Sequence, residues 1–156
     1  MATTTATITL ASTDIADNSI SISNTATLTK AGSTTGLDKT SGLRRRTLAA
    51  TTSVDLIQLD HFQETGETIT ENKAAKVYIK NLGTSTSQHV KVCIGQEDAS
   101  EDTEEIGRLY GGDWMFMPWS QTDVSADVEV YCPAALSTTC IVEYAAFHQG
   151  KTFTNA

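Results

Sequence analysis

Carboxylates, histidines and cysteines are the side chains of this sequence that could carry chemistry. The carboxylates crowd into GQEDASEDTEE, as Glu97, Asp98, Glu101, Asp102, Glu104 and Glu105. Hard cations take clustered carboxylates, but calcium loops space them as D-x-[DN]-x-[DN]-G with a closing Glu, and that spacing is absent. The run therefore reads as a solvated loop whose like charges discourage strand edges from pairing with other chains. His61, His89 and His148 lie far apart, and none belongs to an HExxH pattern. Asp60 and His61 are adjacent, and neighbours on an extended chain point to opposite sides, so they do not form a dyad. No GxSxG, phosphate loop or paired-carboxylate motif occurs, which leaves hydrolase and phosphoryl-transfer readings without residues to rest on. The expectation is a protein with no catalytic residues, no cofactor and no metal. Cys93, Cys132 and Cys140 are odd in number and lack CxxC spacing. They read as buried free thiols, with a Cys132–Cys140 bridge across a hairpin left open.

Binding residues are better signalled. The stretch IGRLYGGDWMFMPW, from Ile106 to Trp119, holds both tryptophans and places Gly111-Gly112 between two apolar runs. Paired glycines in that setting predict a hairpin, because tight two-residue turns need positive φ. On its second arm Trp114, Phe116 and Pro118 alternate with Met115, Met117 and Trp119, so both faces are apolar. Such a strand is central in a sandwich or covered by another subunit. Trp114, Phe116 and Trp119 are thus the candidate subunit-interface residues. The competing reading is an aromatic platform on which a sugar stacks. Arg44, Arg45 and Arg46 form the candidate contact with an acidic partner surface, against the alternative of a solvated turn.

Two segments must position these residues. Residues 1–42 are rich in Thr, Ser and Ala, with apolar alternation only in bursts: Ile8 and Leu10, Ile20 and Ile22, then Leu28. Branching at Cβ favours extended backbone, yet there is too little apolar bulk for a core. An extended N-terminal arm with one or two weak strands is expected, ordered by contact with something else. Residues 43–156 form the body. There Thr47 to Leu59, Ala75 to Asn81, Val90 to Ile94, the two arms around Gly111-Gly112, Val128 to Cys132 and Thr139 to Phe147 alternate as strands. Val90 to Ile94 is expected to pair with Ala75 to Asn81 as a hairpin or meander. Roughly eight short strands, spaced by about 8 to 14 residues, predict an all-β fold with a β-sandwich or jelly-roll-like body.

At 156 residues one core is the expectation. The net charge of -8 argues against a nucleic-acid partner, since phosphate binding needs clustered cations. The acidic excess lies wholly after Thr52. No apolar run approaches the ~18 residues that span a bilayer, so no membrane partner is expected. MATTTATITLAS has neither a basic start nor an unbroken apolar stretch, so folding in a cytoplasm is expected.

Three pieces, KVYIKNLG (Lys76 to Gly83), IGRLYGGDWMFMPWS (Ile106 to Ser120) and CIVEYAAF (Cys140 to Phe147), together resemble segments of small virion structural proteins of tailed bacteriophages. The resemblance covers Ala75 to Phe147; the Thr-rich arm matches in character alone. It implies a capsid decoration, or cement, protein on the virion exterior, assembled in the host cytoplasm. Its partners would be the major capsid protein and itself, as a homotrimer reaching to neighbours with its arms. The alternative it leaves is a tail- or head-fibre component that binds a host receptor glycan. No active site comes with the resemblance.

Overall fold

The computed structural model describes residues 4–12, 20–29, 36–37, 39–58, 73–85, 88–95, 105–121, 127–133 and 139–148. Every regular element among them is a strand, and no helix is long and apolar enough to cross a membrane. The strands are β1 (Thr5–Ser12), β2 (Ile20–Thr27), β3 (Lys39–Thr40), β4 (Arg44–Leu48), β5 (Thr52–Ile57), β6 (Lys73–Asn81), β7 (His89–Ile94), β8 (Glu105–Tyr110), β9 (Trp114–Gln121), β10 (Val128–Cys132) and β11 (Cys140–His148).

The all-β body is a sandwich of two antiparallel sheets. One has the order β5-β10-β7-β8; the other has β3-β11-β6-β9, with β4 also on the outer edge of β11. Alternation in the sequence becomes alternation between core and surface. Ala75, Val77 and Ile79 on β6 lie beside Trp119, Met117 and Met115 on β9. Val142, Tyr144 and Ala146 continue that face on β11. Against them the other sheet sets Leu56, Val90, Val92, Leu109, Val128, Val130 and Cys132, closing one core cluster.

Two predicted hairpins do not form. The Gly111-Gly112 turn is present: Gly112 takes φ 89 and Asp113 N donates to Tyr110 O at 2.9 Å. However, β8 pairs with β7 in one sheet and β9 with β6 in the other. The turn is a corner between sheets. Likewise β6 and β7 sit in different sheets. Alternation fixes which side of a strand is buried, but the neighbour is chosen by which sheet each strand completes. The single strand expected from Thr47 to Leu59 is also broken into β4 and β5, with Thr51 at φ 62 in the turn that changes sheet.

The corner is built around Asn81. Its side-chain amide donates to Leu109 O at 3.0 Å, its Oδ1 accepts from Gly83 N at 2.9 Å, and its backbone bonds to Asp113 O and Gly112 N. A Cβ on Gly111 would stand 2.5 Å from Ser85 O, so only glycine fits that approach. Leu82 N donates to Ile141 O at 2.8 Å, which brings the third of the quoted segments to the same place.

Before the body, β1 and β2 form a separate two-stranded antiparallel ribbon. Its base is closed by Leu28 N to Thr4 O, Thr4 N to Leu37 O and Leu37 N to Leu28 O, all within 3.0 Å. Leu28 and Leu37 are buried there, outside the sandwich cluster. The segment after them already belongs to the body: Lys39–Thr40 pairs with β11, and Ser41 bonds to Ala146 both ways, before Gly42 turns the chain at φ 73.

Candidate functional site

Two surfaces gather the residues singled out by the sequence. The larger is the outer face of the five-stranded sheet. Antiparallel register sets Lys80 beside Trp114, Tyr78 beside Phe116 and Lys76 beside Pro118. On the other flank of β6 it sets Glu143 beside Lys80, Ala145 beside Tyr78 and Phe147 beside Lys76. Arg45 on β4 stands next to Glu143. The result is an aromatic group, Tyr78, Trp114, Phe116 and Phe147, rimmed by three cations and one carboxylate. Tyr78 and Trp114 lie 6.5 Å apart, centroid to centroid, and Phe116 meets Phe147 edge-on at 6.2 Å. Both distances fall within the range of favourable ring pairs. Trp114 is nevertheless 51% exposed.

The rim is partly neutralised within the chain. Arg45 Nε donates to Glu143 Oε2 at 3.0 Å. The guanidinium side is largely in solvent, so the pair contributes little to stability and chiefly fixes where the charge sits. Desolvation first, then the Glu143 charge, raises the Tyr78 pKa, so its hydroxyl stays protonated and available as a donor.

The expected interface residues divide by parity. Trp114 and Phe116 point outward; Trp119 is 3% exposed and lies in the core beside Ala75. The arginines divide too, since they form strand β4 and not a turn: Arg45 takes the outer face, while Arg44 Nε donates to Ser41 O at 3.0 Å. Tyr78, Phe147, Lys76 and Lys80 were missed as members of the surface. Their alternation was visible in KVYIK and VEYAAF, but only the register brings them beside Trp114 and Phe116.

The second surface is the ribbon. Leu10 is the partner of Ile22, Ile8 of Asn24 and Ser12 of Ile20, so the apolar side chains share one face. The reverse face is a ladder of Thr and Ser interrupted only at Ala11, tied by a hydrogen bond between Thr7 Oγ1 and Thr25 Oγ1 at 2.8 Å. Leu10 and Ile22 are about half exposed, at 53% and 50%, and Leu10, Ala11, Ser12 and Ile20 line a pocket of about 250 Å³.

Of the residues considered for chemistry, the acidic run Glu97, Asp98, Glu101, Asp102 and Glu104 and His61 lie outside the described residues. Glu105 is described, and it bonds to Arg108 at 2.6 Å and approaches Lys91 at 3.6 Å. His89 lies tilted against Tyr110, with ring centroids 5.2 Å apart, and His148 is buried. Among the described residues no group of three His, Cys, Asp or Glu could hold a metal ion. Compared with known protein families, with curated proteins and with solved structures, the chain matches none.

Proposed function

We propose that this chain is a non-enzymatic structural protein of a virion, a capsid decoration protein. Its ribbon lies along the major capsid protein, and its aromatic sheet face meets further copies of itself in a homotrimer. The observation that carries this reading is the ribbon. Among the described residues its two strands pair with each other and with no other strand, and they hold Leu10, Ile20 and Ile22 toward solvent. Covering half-exposed aliphatic side chains on a partner is worth about 1 kcal/mol each, and both ribbon edges offer backbone groups for strand addition. One such contact is weak. Three ribbons on a trimer, engaged together on a repeating lattice, sum through effective concentration.

The decisive experiment is cosedimentation of the protein with capsid shells that lack it. Leu10→Asp combined with Ile22→Asp should weaken shell binding at least tenfold and leave the melting temperature of the body within about 2 °C of the parent. Undiminished binding by the double variant sinks the ribbon as the attachment element.

One observation favours a second reading, a fibre or tail component that binds a host glycan: Trp114 stands half in solvent, tilted 37° to Tyr78 with Lys80 alongside. Copy number per virion separates the two. Hundreds of copies fit decoration; on the order of a dozen fit a fibre or tail position, given the symmetry of each.

A further inference from the structure

We infer that Cys132 and Cys140 are a disulfide-forming pair whose oxidation staples the two sheets of the sandwich together. Cys132 is the last residue of β10 in the four-stranded sheet, and Cys140 the first of β11 in the five-stranded sheet. The bridge would therefore not close a hairpin; it would join the two layers at the point where the chain passes from one to the other. Their Sγ atoms are 2.9 Å apart, with Cys132 as the thiol donor, within about 1 Å of the ~2.05 Å bond. Both thiols are buried among core residues, and neither backbone need change strand for the bond to form. Cys93 is placed differently: it lies on β7 with Glu129 and Glu105 as its cross-strand neighbours.

The oxidant is a small-molecule disulfide such as oxidised glutathione. One cysteine thiolate attacks a sulfur of the reagent, forming a mixed disulfide and releasing one small thiol. The second cysteine then attacks the protein-side sulfur and releases the other. Two electrons pass to the reagent, and the two thiol protons end on the departing small thiols. In a reducing compartment the pair stays as thiols; in an oxidising one it closes. The rate is set by access. Burial first, and then the neighbouring Cys132 thiol, push the Cys140 thiol up to about 12, so the attacking thiolate is scarce at neutral pH. Reaction waits on fraying of two strand ends, or takes place while the chain folds.

The test uses the full chain, reduced, then equilibrated with oxidised glutathione both in the native state and during refolding from denaturant. Expected by either route is a mass lower by two hydrogens, a fall from three titratable thiols to one, and a peptide containing Cys132 linked to Cys140. The melting temperature should rise by roughly 5–10 °C and return on reduction. Cys93→Ser should keep this rise. Cys132→Ser and Cys140→Ser should each lose it. Three free thiols after both treatments, a link that includes Cys93, or a linked chain that melts lower than the reduced one would each overturn the inference.

Discussion

The two outward faces of the sandwich solve the same problem differently. On the four-stranded sheet the outward residues satisfy one another. Lys91 approaches Glu105 at 3.6 Å and sits 5.8 Å from the centre of the Tyr131 ring, Arg108 holds Glu105, and His89 lies tilted against Tyr110. Gln58 bridges Asp55 and Asp127. On the five-stranded sheet the outward residues are an aromatic group with a charged rim, in which Arg45 and Glu143 form an ion pair. A face whose charges are already paired gains little from a partner, because docking would strip water from groups with no better bond to form. A face with a half-exposed tryptophan among partly buried rings, and with a cationic rim, gains from burial of its centre. The difference marks the five-stranded sheet as the face with more to gain from being covered.

The largest effect that sharpens this contrast lies along a single strand. Trp119 and Trp114 share β9 but face opposite ways. Trp119→Ala empties part of the core and should cost about 3–5 kcal/mol of stability, read by denaturant unfolding. Trp114→Ala should cost less than about 1 kcal/mol there and instead weaken self-association, measured by sedimentation across a concentration range. Equal stability losses at the two positions would erase the distinction between the faces of β9.

That pair also shows how far sequence reasoning reaches. Period-two alternation made the strands, the all-β class and the inward set Val77, Ile79, Val128, Val130 legible, because burial follows side-chain direction directly. It also exposed the two-faced character of Trp114 to Trp119, without saying which tryptophan would be inside. Strand neighbours were not legible. The Gly111-Gly112 pair signalled a tight turn correctly, but its use as a sheet-changing corner depends on Asn81 reaching Leu109 O and on Ser85 lying against Gly111. Those contacts are distant in sequence, and turn chemistry alone cannot anticipate them. The candidate surface was hidden for the same reason: Tyr78, Phe116 and Phe147 come from three strands whose order only the folded sheet supplies.

An intermediate effect probes the opposite face. Lys91→Ala removes an aliphatic stem, a cation over the Tyr131 ring and one of two cations beside Glu105. Since Arg108 remains to hold Glu105, the penalty for a stranded buried charge does not apply in full, and a loss of about 1–3 kcal/mol is expected. Lys91→Met restores the stem and should recover part of that loss, with self-association unaltered in both variants. A change in association would mean that this face, too, meets a partner.

The smallest effect concerns His89 on that same face. Its pKa is lowered by desolvation first and by Arg108 next, with Lys91 adding to the shift and Glu105 opposing it. The unfolded chain, with histidine near 6.5, then binds the proton more readily than the folded one. Stability rises with pH wherever the unfolded state holds more protons, so the contribution is whole above about pH 6.5. It is lost as pH falls from there through the lowered folded value, and below that both states are protonated and the loss stops. His89→Gln should flatten this part of the melting-temperature profile while leaving the carboxylate-driven fall at lower pH in place. Parallel profiles for the two proteins would show that neither burial nor the cations around His89 shift its titration.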